Sequence, residues 1–412
     1  MARKLLLLPL MLLLLPFSTL IAAAEEGVLH LAVGDPARKD HEAKLVLDAI
    51  TDTATGEVIG PQDLAARLAG TSILFVGESH TSADSHAVEL RVIEELARAG
   101  RPVLIGLEMA PYPEQPWLDR WVAGQLTEQG FLDLFHWYDS WGFPWAYYRE
   151  IFLFARDHQL PIYALNAPRD VVTAVRKKGF KDLTPEEAAH IPTSIDTSSE
   201  EHRQLFRAFF DSGDALHGSL SEEQWQAMFA AQCTWDATMG FHAVQALTSR
   251  PEPGAIVVVL IGSGHVAYGL GIERQSRQWL PAGAGKMASL ITVPVRGDKG
   301  EKVEAVRASY ASFLWGVPEE GDPLYPGLGL STIAATEGKG RQVAQVDEGG
   351  PAALAGVAAG DRLLAFDGQP LPDRETLNRL IAGKRWGDRV RLTVERGGQS
   401  QSFELWLRRS AR

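Results

Sequence analysis

Four short apolar runs, each ending abruptly in glycine, carboxylate, amide or histidine, constrain this chain more than any other feature. Ser72 to Val76 leads into Gly77-Glu78-Ser79-His80, and Pro102 to Leu107 into Glu108. Pro161 to Leu165 leads into Asn166, and Ala255 to Ile261 into Gly262-Ser263-Gly264-His265. Each run is strand-sized and too short for a buried helix. Between the first two, Ala83 to Ala99 carries Val88, Val92 and Leu96 at helical spacing, and Ser289 to Val295 adds a further strand. Strands alternating with helices predict an α/β fold: a mostly parallel sheet flanked by helices. Residues 115–158, crowded with rings, and the long stretch 169–248 read as helical, the former as an insertion. Lys44 to Ile59 reads as a hairpin around Thr55-Gly56, and Pro61 opens a helical segment, Gln62 to Leu68.

In a parallel sheet the ligand crevice lies outside the carboxyl ends of the strands. Those ends deliver Glu78, His80, Glu108, Asn166 and His265 to one place. Glycines at 77, 262 and 264 let the backbone turn there and approach a ligand. Two imidazoles with one or two carboxylates suit a divalent transition metal with open positions, able to lower the pKa of a bound water. A metal-free arrangement is equally open, with His80 or His265 as general base oriented by Glu78 or Glu108. The same groups could instead cap helices and tie strand ends together. Asp236, on the stretch Gln232-Cys233-Thr234-Trp235-Asp236, either supports the crevice or is a solvated helical residue.

Arg3 and Lys4, the apolar run Leu5 to Leu15 and Ala22-Ala23-Ala24 read in order as a cleaved Sec signal peptide over residues 1–24, which predicts a periplasmic or secreted protein. A retained anchor is the alternative. Cleavage removes two of 40 basic residues and none of 52 acidic ones, taking the formal charge from −12 to −14. That balance offers no basic face for nucleic acid. The single cysteine, Cys233, excludes an intrachain disulfide and reads as a small buried hydrophobe. Residues 25–44 read as a weakly ordered lead-in, 45–310 as the α/β domain, 311–322 as a Pro/Gly/acid linker and 323–412 as a second domain.

The motifs Gly77-Glu-Ser-His80, Gly106-Leu-Glu108, Trp141-Gly-Phe-Pro-Trp145 to Arg156, Leu165-Asn-Ala-Pro168 and Gly262-Ser-Gly-His265 together resemble the ChaN family of iron-regulated, haem-binding proteins. That family shares a superfamily with the Tiki metalloproteases and the erythromycin esterases. The resemblance covers roughly residues 45–295. It implies haem or iron binding or uptake, while the Tiki relatives imply metal-dependent hydrolysis, peptidase or esterase, at Glu78, His80, Glu108 and His265. ChaN proteins are often lipoproteins, whereas this signal region holds no cysteine to lipidate. A haem pocket built on the ring-rich stretch would use Tyr147, Tyr148 or His136 as axial ligand. Rings at helical spacing also suit an ordinary core.

In the C-terminal domain, Gly327-Leu-Gly-Leu330, Pro351 to Gly356, Gly360-Asp-Arg-Leu-Leu364 and Asp367-Gly368 look like a PDZ domain of the bacterial HtrA type, a small β-sandwich or barrel-like fold. There the loop Leu328-Gly329-Leu330 would capture a peptide's terminal carboxylate. The following strand would accept the peptide, and Leu377 and Leu380 of helix 374–382 would wall the groove. Three functions follow as expectations: a haem- or iron-binding protein, a metal-dependent hydrolase, or an inactive scaffold that recruits protein C-termini through the PDZ domain.

Overall fold

A computed structural model describes residues 27–211, 220–296, 302–318, 323–335 and 340–409. The signal-peptide reading of residues 1–24 lies outside the described residues, as do positions 319–322 of the expected linker. The described residues divide into two compact units, the first within 27–135 and 146–318, the second within 136–145 and 323–409.

The larger unit is built on an eight-stranded sheet. Its strands, in chain order, are β2 (Ile50–Asp52), β3 (Val58–Ile59), β4 (Thr71–Glu78), β5 (Val103–Pro111), β6 (Ile162–Asn166), β7 (Ile256–Gly262), β8 (Lys286–Pro294) and β10 (Phe313–Val317). A separate pair joins β1 (Glu42–Lys44) to β9 (Ala305–Arg307). The sheet order is β3-β2-β10-β8-β4-β7-β5-β6. From β10 to β6 every neighbour is parallel, and β2 runs antiparallel to both of its neighbours, β10 and β3. β4 and β7 are buried along their whole length, because helices cover both faces and a strand so placed must be apolar on both sides.

Register decides what lies beside what. Glu78 pairs with Gly262 and Leu107 with Leu260, so the ends of β4, β7 and β5 finish level. The covering helices relevant to the crevice are α1 (Ala83–Arg98), α2 (Arg149–Asp157), α3 (Glu200–Asp211) and α4 (Glu222–Ser249). Ser82 caps α1 by accepting from the Ser85 amide at 3.2 Å, which fixes where the helix starts after the β4 turn. The stretch read as one helical region, 169–248, is broken into Arg169–Lys178, α3 and α4, with shorter turns between.

Two expected boundaries are corrected. The described part of the expected lead-in, residues 27–44, is not loose: Val28, Leu29, Val33 and Ala43 are buried in the main core, and Tyr268 donates its hydroxyl to the Val28 carbonyl. Nor is the linker as long as 311–322. Phe313 to Val317 are all buried as β10, parallel to β8 and antiparallel to β2. Five consecutive apolar or small residues form a strand despite the turn-rich sequence that follows them.

Rings in the helical insertion pack on one another. Phe131 lies 5.1 Å from Trp121, 5.1 Å from Phe135 and 5.4 Å from Phe152, centroid to centroid, and all four side chains are fully buried.

The C-terminal domain is a sheet-rich fold of antiparallel strands: β11 (Leu330–Ala334), β12 (Arg341–Val346), β13 (Arg362–Phe366), β14 (Gln369–Pro370), β15 (Arg389–Arg396) and β16 (Gln399–Trp406). Helix α5 (Arg374–Ala382) starts on an Asp373 cap. The core holds Leu328, Val343, Leu363, Phe366, Leu377, Leu392 and Leu405.

Candidate functional site

The turn after β4 brings Glu78 and His80 together, with His80 Nδ1 2.8 Å from Glu78 Oε1. The same carboxylate oxygen accepts from the Tyr148 hydroxyl at 3.1 Å, and its other oxygen lies 3.1 Å from His86 Nδ1. At the end of β7, His265 Nδ1 lies 2.6 Å from Asp236 Oδ1 on α4, and His265 Nε2 lies 3.4 Å from Glu108 Oε1. Glu108 is tied down by the Gly262 amide, which donates to Oε2 at 2.6 Å. Asn166 Nδ2 donates to the Glu108 carbonyl at 2.8 Å, fixing the β5 end against β6.

Both histidines are thus held at Nδ1 by a buried carboxylate, and the Nε2 of each faces the Glu108 side of the crevice. A methyl group at Gly262 would stand 2.9 Å from His80 Cε1, 3.2 Å from His80 Nε2 and 3.5 Å from Glu108 Oε2. Only glycine leaves room for that approach at the β7 end. The imidazoles are the partly open groups, with side chains 15% and 14% exposed for His80 and His265, whereas Glu78 and Asp236 are closed off.

Charge follows the packing. Burial alone would lower the His265 pKa, but Glu108 and Asp236 outweigh it and push it up to about 10. His80 is raised in the same way against burial, chiefly by Glu78. For Glu108 burial is again the opposing influence. The facing His265 and His80, with the Gly262 N–H, bring its pKa down to about 2. The crevice therefore sets two imidazoles whose protonated form is favoured against a carboxylate whose ionised form is favoured.

Sequence reasoning placed Glu78, His80, Glu108 and His265 together, and the structure brings all four to one crevice. Asp236 is a supporting residue, fully buried, rather than a solvated one. Cys233 is a buried, free thiol. Sequence reasoning missed His86 and Glu89 on α1 and His202 on α3. His202 Nε2 stands 3.6 Å from Asp236 Oδ2, and Arg274 reaches His202 Nδ1 at 3.3 Å. The signal for the first pair was present: a His-x-x-Glu spacing on the helix that follows the β4 end.

The expected haem ligands are placed differently. Tyr148 is fully buried with its hydroxyl committed to Glu78, and Tyr147 is 7% exposed with its ring 5.3 Å from that of His86. His136 lies in the other compact unit, where its side chain is 65% exposed. Of the three alternatives, the two tyrosines are core residues and His136 is an exposed one. In the C-terminal domain Leu377 is a core residue, 3% exposed, instead of groove wall, and the side chain of Leu328, in the expected carboxylate loop, is buried as well. Leu330 and Leu380 are only partly buried, and β11 is an edge strand of its sheet. Gly329, at φ 68°, takes the left-handed turn that precedes β11.

Residues 64–275 match the family described as haem-binding uptake, Tiki superfamily, ChaN. The chain belongs to this ChaN family. Residues 326–407 match the PDZ domain family. Among solved structures, ChaN of Campylobacter jejuni, described for its cofacial haem binding, aligns over 95% of its own length and 65% of this chain. The TM-score is 0.50 at 16% identity, a likeness of fold. The probable periplasmic DegP-like serine endoprotease of Pseudomonas putida F1 is 38% identical over 66 residues, 16% of this chain. That of Brucella suis is 33% identical over 77 residues, 19% of this chain. The ChaN-family chain spans only 14% and 15% of the length of these two curated relatives.

Proposed function

We propose that this chain is an exported haem- or iron-handling protein whose crevice holds a divalent transition metal through His80, His265 and Glu108, and whose PDZ domain binds protein C-termini. One observation carries the metal assignment: two buried carboxylates, Glu78 and Asp236, hold both Nδ1 atoms, leaving both Nε2 atoms on the side of Glu108. Carboxylate-anchored imidazoles are the usual supports of protein metal sites, and two histidines with one carboxylate and open positions suit ferrous iron or zinc. Such an ion would supply Lewis acidity and a docking point for an anionic or oxygen ligand. Around it, Gly262 keeps the approach open and Asn166 and the Gly262 amide hold Glu108 in place.

Haem binding is the property of the family, and it supports a role in haem or iron uptake. Of its expected ligands, Tyr148 has its hydroxyl on Glu78 and Tyr147 is buried, while the His136 side chain is exposed. Export is supported by the residue order of positions 1–24 and by the periplasmic description of the DegP-like relatives. For the PDZ domain, the edge strand β11 and the partly open Leu330 and Leu380 suit an added peptide strand ending in a carboxylate. A second reading, metal-dependent hydrolysis, is favoured by the acid and the imidazoles facing one opening, an arrangement able to activate water.

The test is metal analysis of the full chain purified from its own host, combined with haem titration. The expected results are metal in the wild type, loss of it with a retained fold in His80→Ala and His265→Ala, and a Soret shift at stoichiometric haem. Wild-type metal occupancy in both variants would overturn the crevice assignment, and absence of a Soret shift would overturn haem binding. Metal-dependent cleavage of peptide or ester substrates without haem binding establishes the second reading. Loss of binding when an apolar C-terminal peptide is amidated checks the PDZ assignment.

A further inference from the structure

Beside the crevice, one imidazole nitrogen and two carboxylate oxygens converge. His86 Nε2 lies 3.3 Å from the His80 carbonyl, which can only accept, so His86 carries its proton on Nε2 in the neutral form. Its Nδ1 then presents a lone pair, and that atom stands 2.9 Å from Glu89 Oε2 and 3.1 Å from Glu78 Oε2. All three side chains are nearly sealed, at 4%, 0% and 0% exposure. Among the described residues, Glu89 Oε1 and Glu78 Oε2 have no hydrogen-bond partner. The rings of Tyr148 and Tyr147, 4.3 Å and 5.3 Å from the His86 ring, wall it on one side.

Two ionised carboxylates facing a neutral imidazole bury two negative charges, which costs far more than ordinary folding energies unless a cation joins them. A proton on Nδ1, which the facing Glu78 and Glu89 favour against burial, still leaves one negative charge unbalanced while both carboxylates are ionised. A divalent cation balances both, and it takes the donors that are there: one imidazole nitrogen and two carboxylate oxygens, with one ligand atom from each residue lying within 4.8 Å of the other two. The seat is rigid, because His86 and Glu89 stand one turn apart on α1 and Glu78 ends β4.

We propose that Glu78, His86 and Glu89 form a buried site for a divalent transition metal, separate from the His80, Glu108 and His265 set and joined to it through the Glu78 carboxylate, whose other oxygen holds His80. The pair of sites makes this a two-metal protein in which one ion organises the other's ligand. This inference does not depend on haem binding.

The experiment uses the full chain and Co2+ as probe, counting bound ions by equilibrium dialysis and elemental analysis after thorough stripping. Two Co2+ per chain are expected in the wild type, one in Glu89→Gln, one in His265→Ala and none in the double variant. If Glu89→Gln keeps the wild-type count, the buried site is overturned. A single wild-type ion lost in His265→Ala and kept in Glu89→Gln also overturns it, showing that a proton holds the cluster while the crevice assignment stands. A single ion lost in Glu89→Gln and kept in His265→Ala upholds the buried site and overturns the crevice metal. Should Glu89→Gln fail to fold, wild-type crystals grown with saturating Co2+ decide the matter by anomalous scattering. A peak between His86 Nδ1 and Glu89 Oε2 supports the site, and its absence refutes it.

Discussion

Gly262→Ala probes the crevice with a single methyl group. At φ −57° and ψ 138° the backbone is one that alanine adopts freely, so the substitution brings no conformational strain. The amide that holds Glu108 is backbone and survives. What changes is space: the new carbon would stand 2.9 Å from His80 Cε1, whereas carbon pairs settle at about 3.5 Å or more. The ring must therefore retreat by about 0.6 Å, pulling against the 2.8 Å contact between its Nδ1 and Glu78. Metal sites tolerate displacements of only about 0.2–0.5 Å in their ligands. Overpacking of this kind costs about 1–3 kcal/mol, and if even about 1.4 kcal/mol of that falls on the bound state the affinity drops tenfold. The assay is a Co2+ binding isotherm on Gly262→Ala beside the wild type, with urea denaturation to confirm folding. A folded variant that binds Co2+ within twofold of wild type would refute the reasoning that Gly262 keeps the His80 to Glu108 approach open.

Two further outcomes are expected. Burial, aided by the nearby Arg274 and His265 and opposed by Asp236, brings the His202 pKa down to about 4, below its unfolded value near ~6.5. The stability it contributes is therefore present above about pH 6.5 and lost as pH falls towards 4, by about 3 kcal/mol in all. His86 and His265 are shifted upward and act above that window. Denaturation curves at pH 7.5 and 4.5 should show a smaller acid loss in His202→Gln than in wild type, and equal losses would contradict this. Phe131→Ala, which empties the centre of a fully buried ring cluster, should cost about 3–5 kcal/mol of stability and leave the haem titration unchanged. Unchanged stability with a lost Soret band would show that the rings form a cofactor wall instead.

The sheet and its crevice were legible because each signal was local. Continuous apolar runs can only be doubly covered strands, and the residue after each run must sit at the sheet's carboxyl edge, which located Glu78, His80, Glu108 and His265. His86 and Glu89 were hidden for the opposite reason. On a helix whose apolar stripe is Val88, Val92 and Leu96, polar neighbours read as the solvent face, and only the fold shows that this face is turned onto the β4 end. His202 meets Asp236 across 34 positions and Arg274 meets His202 across 72, separations that no spacing rule connects. β10 was masked by its neighbours, since the Pro- and Gly-rich residues after it coloured the reading of the strand. Tyr147 and Tyr148 show the limit of composition: rings concentrated in one stretch are equally what a core and a haem pocket require, and the fold adds that both tyrosines pack against His86.

The placement of β10 also sets the order in which this molecule can be finished. The hairpin of β2 and β3 joins the rest of the sheet only through β10, some 260 positions later in the chain. Until residue 317 has left the ribosome, the N-terminal hairpin has no strand to join, and the open edge of β8 stays unprotected against strands of other molecules. A nascent chain of this protein is thus incomplete for almost the whole length of its larger domain. Anything that must keep it unfolded, such as passage through a narrow channel, works with that topology and not against it.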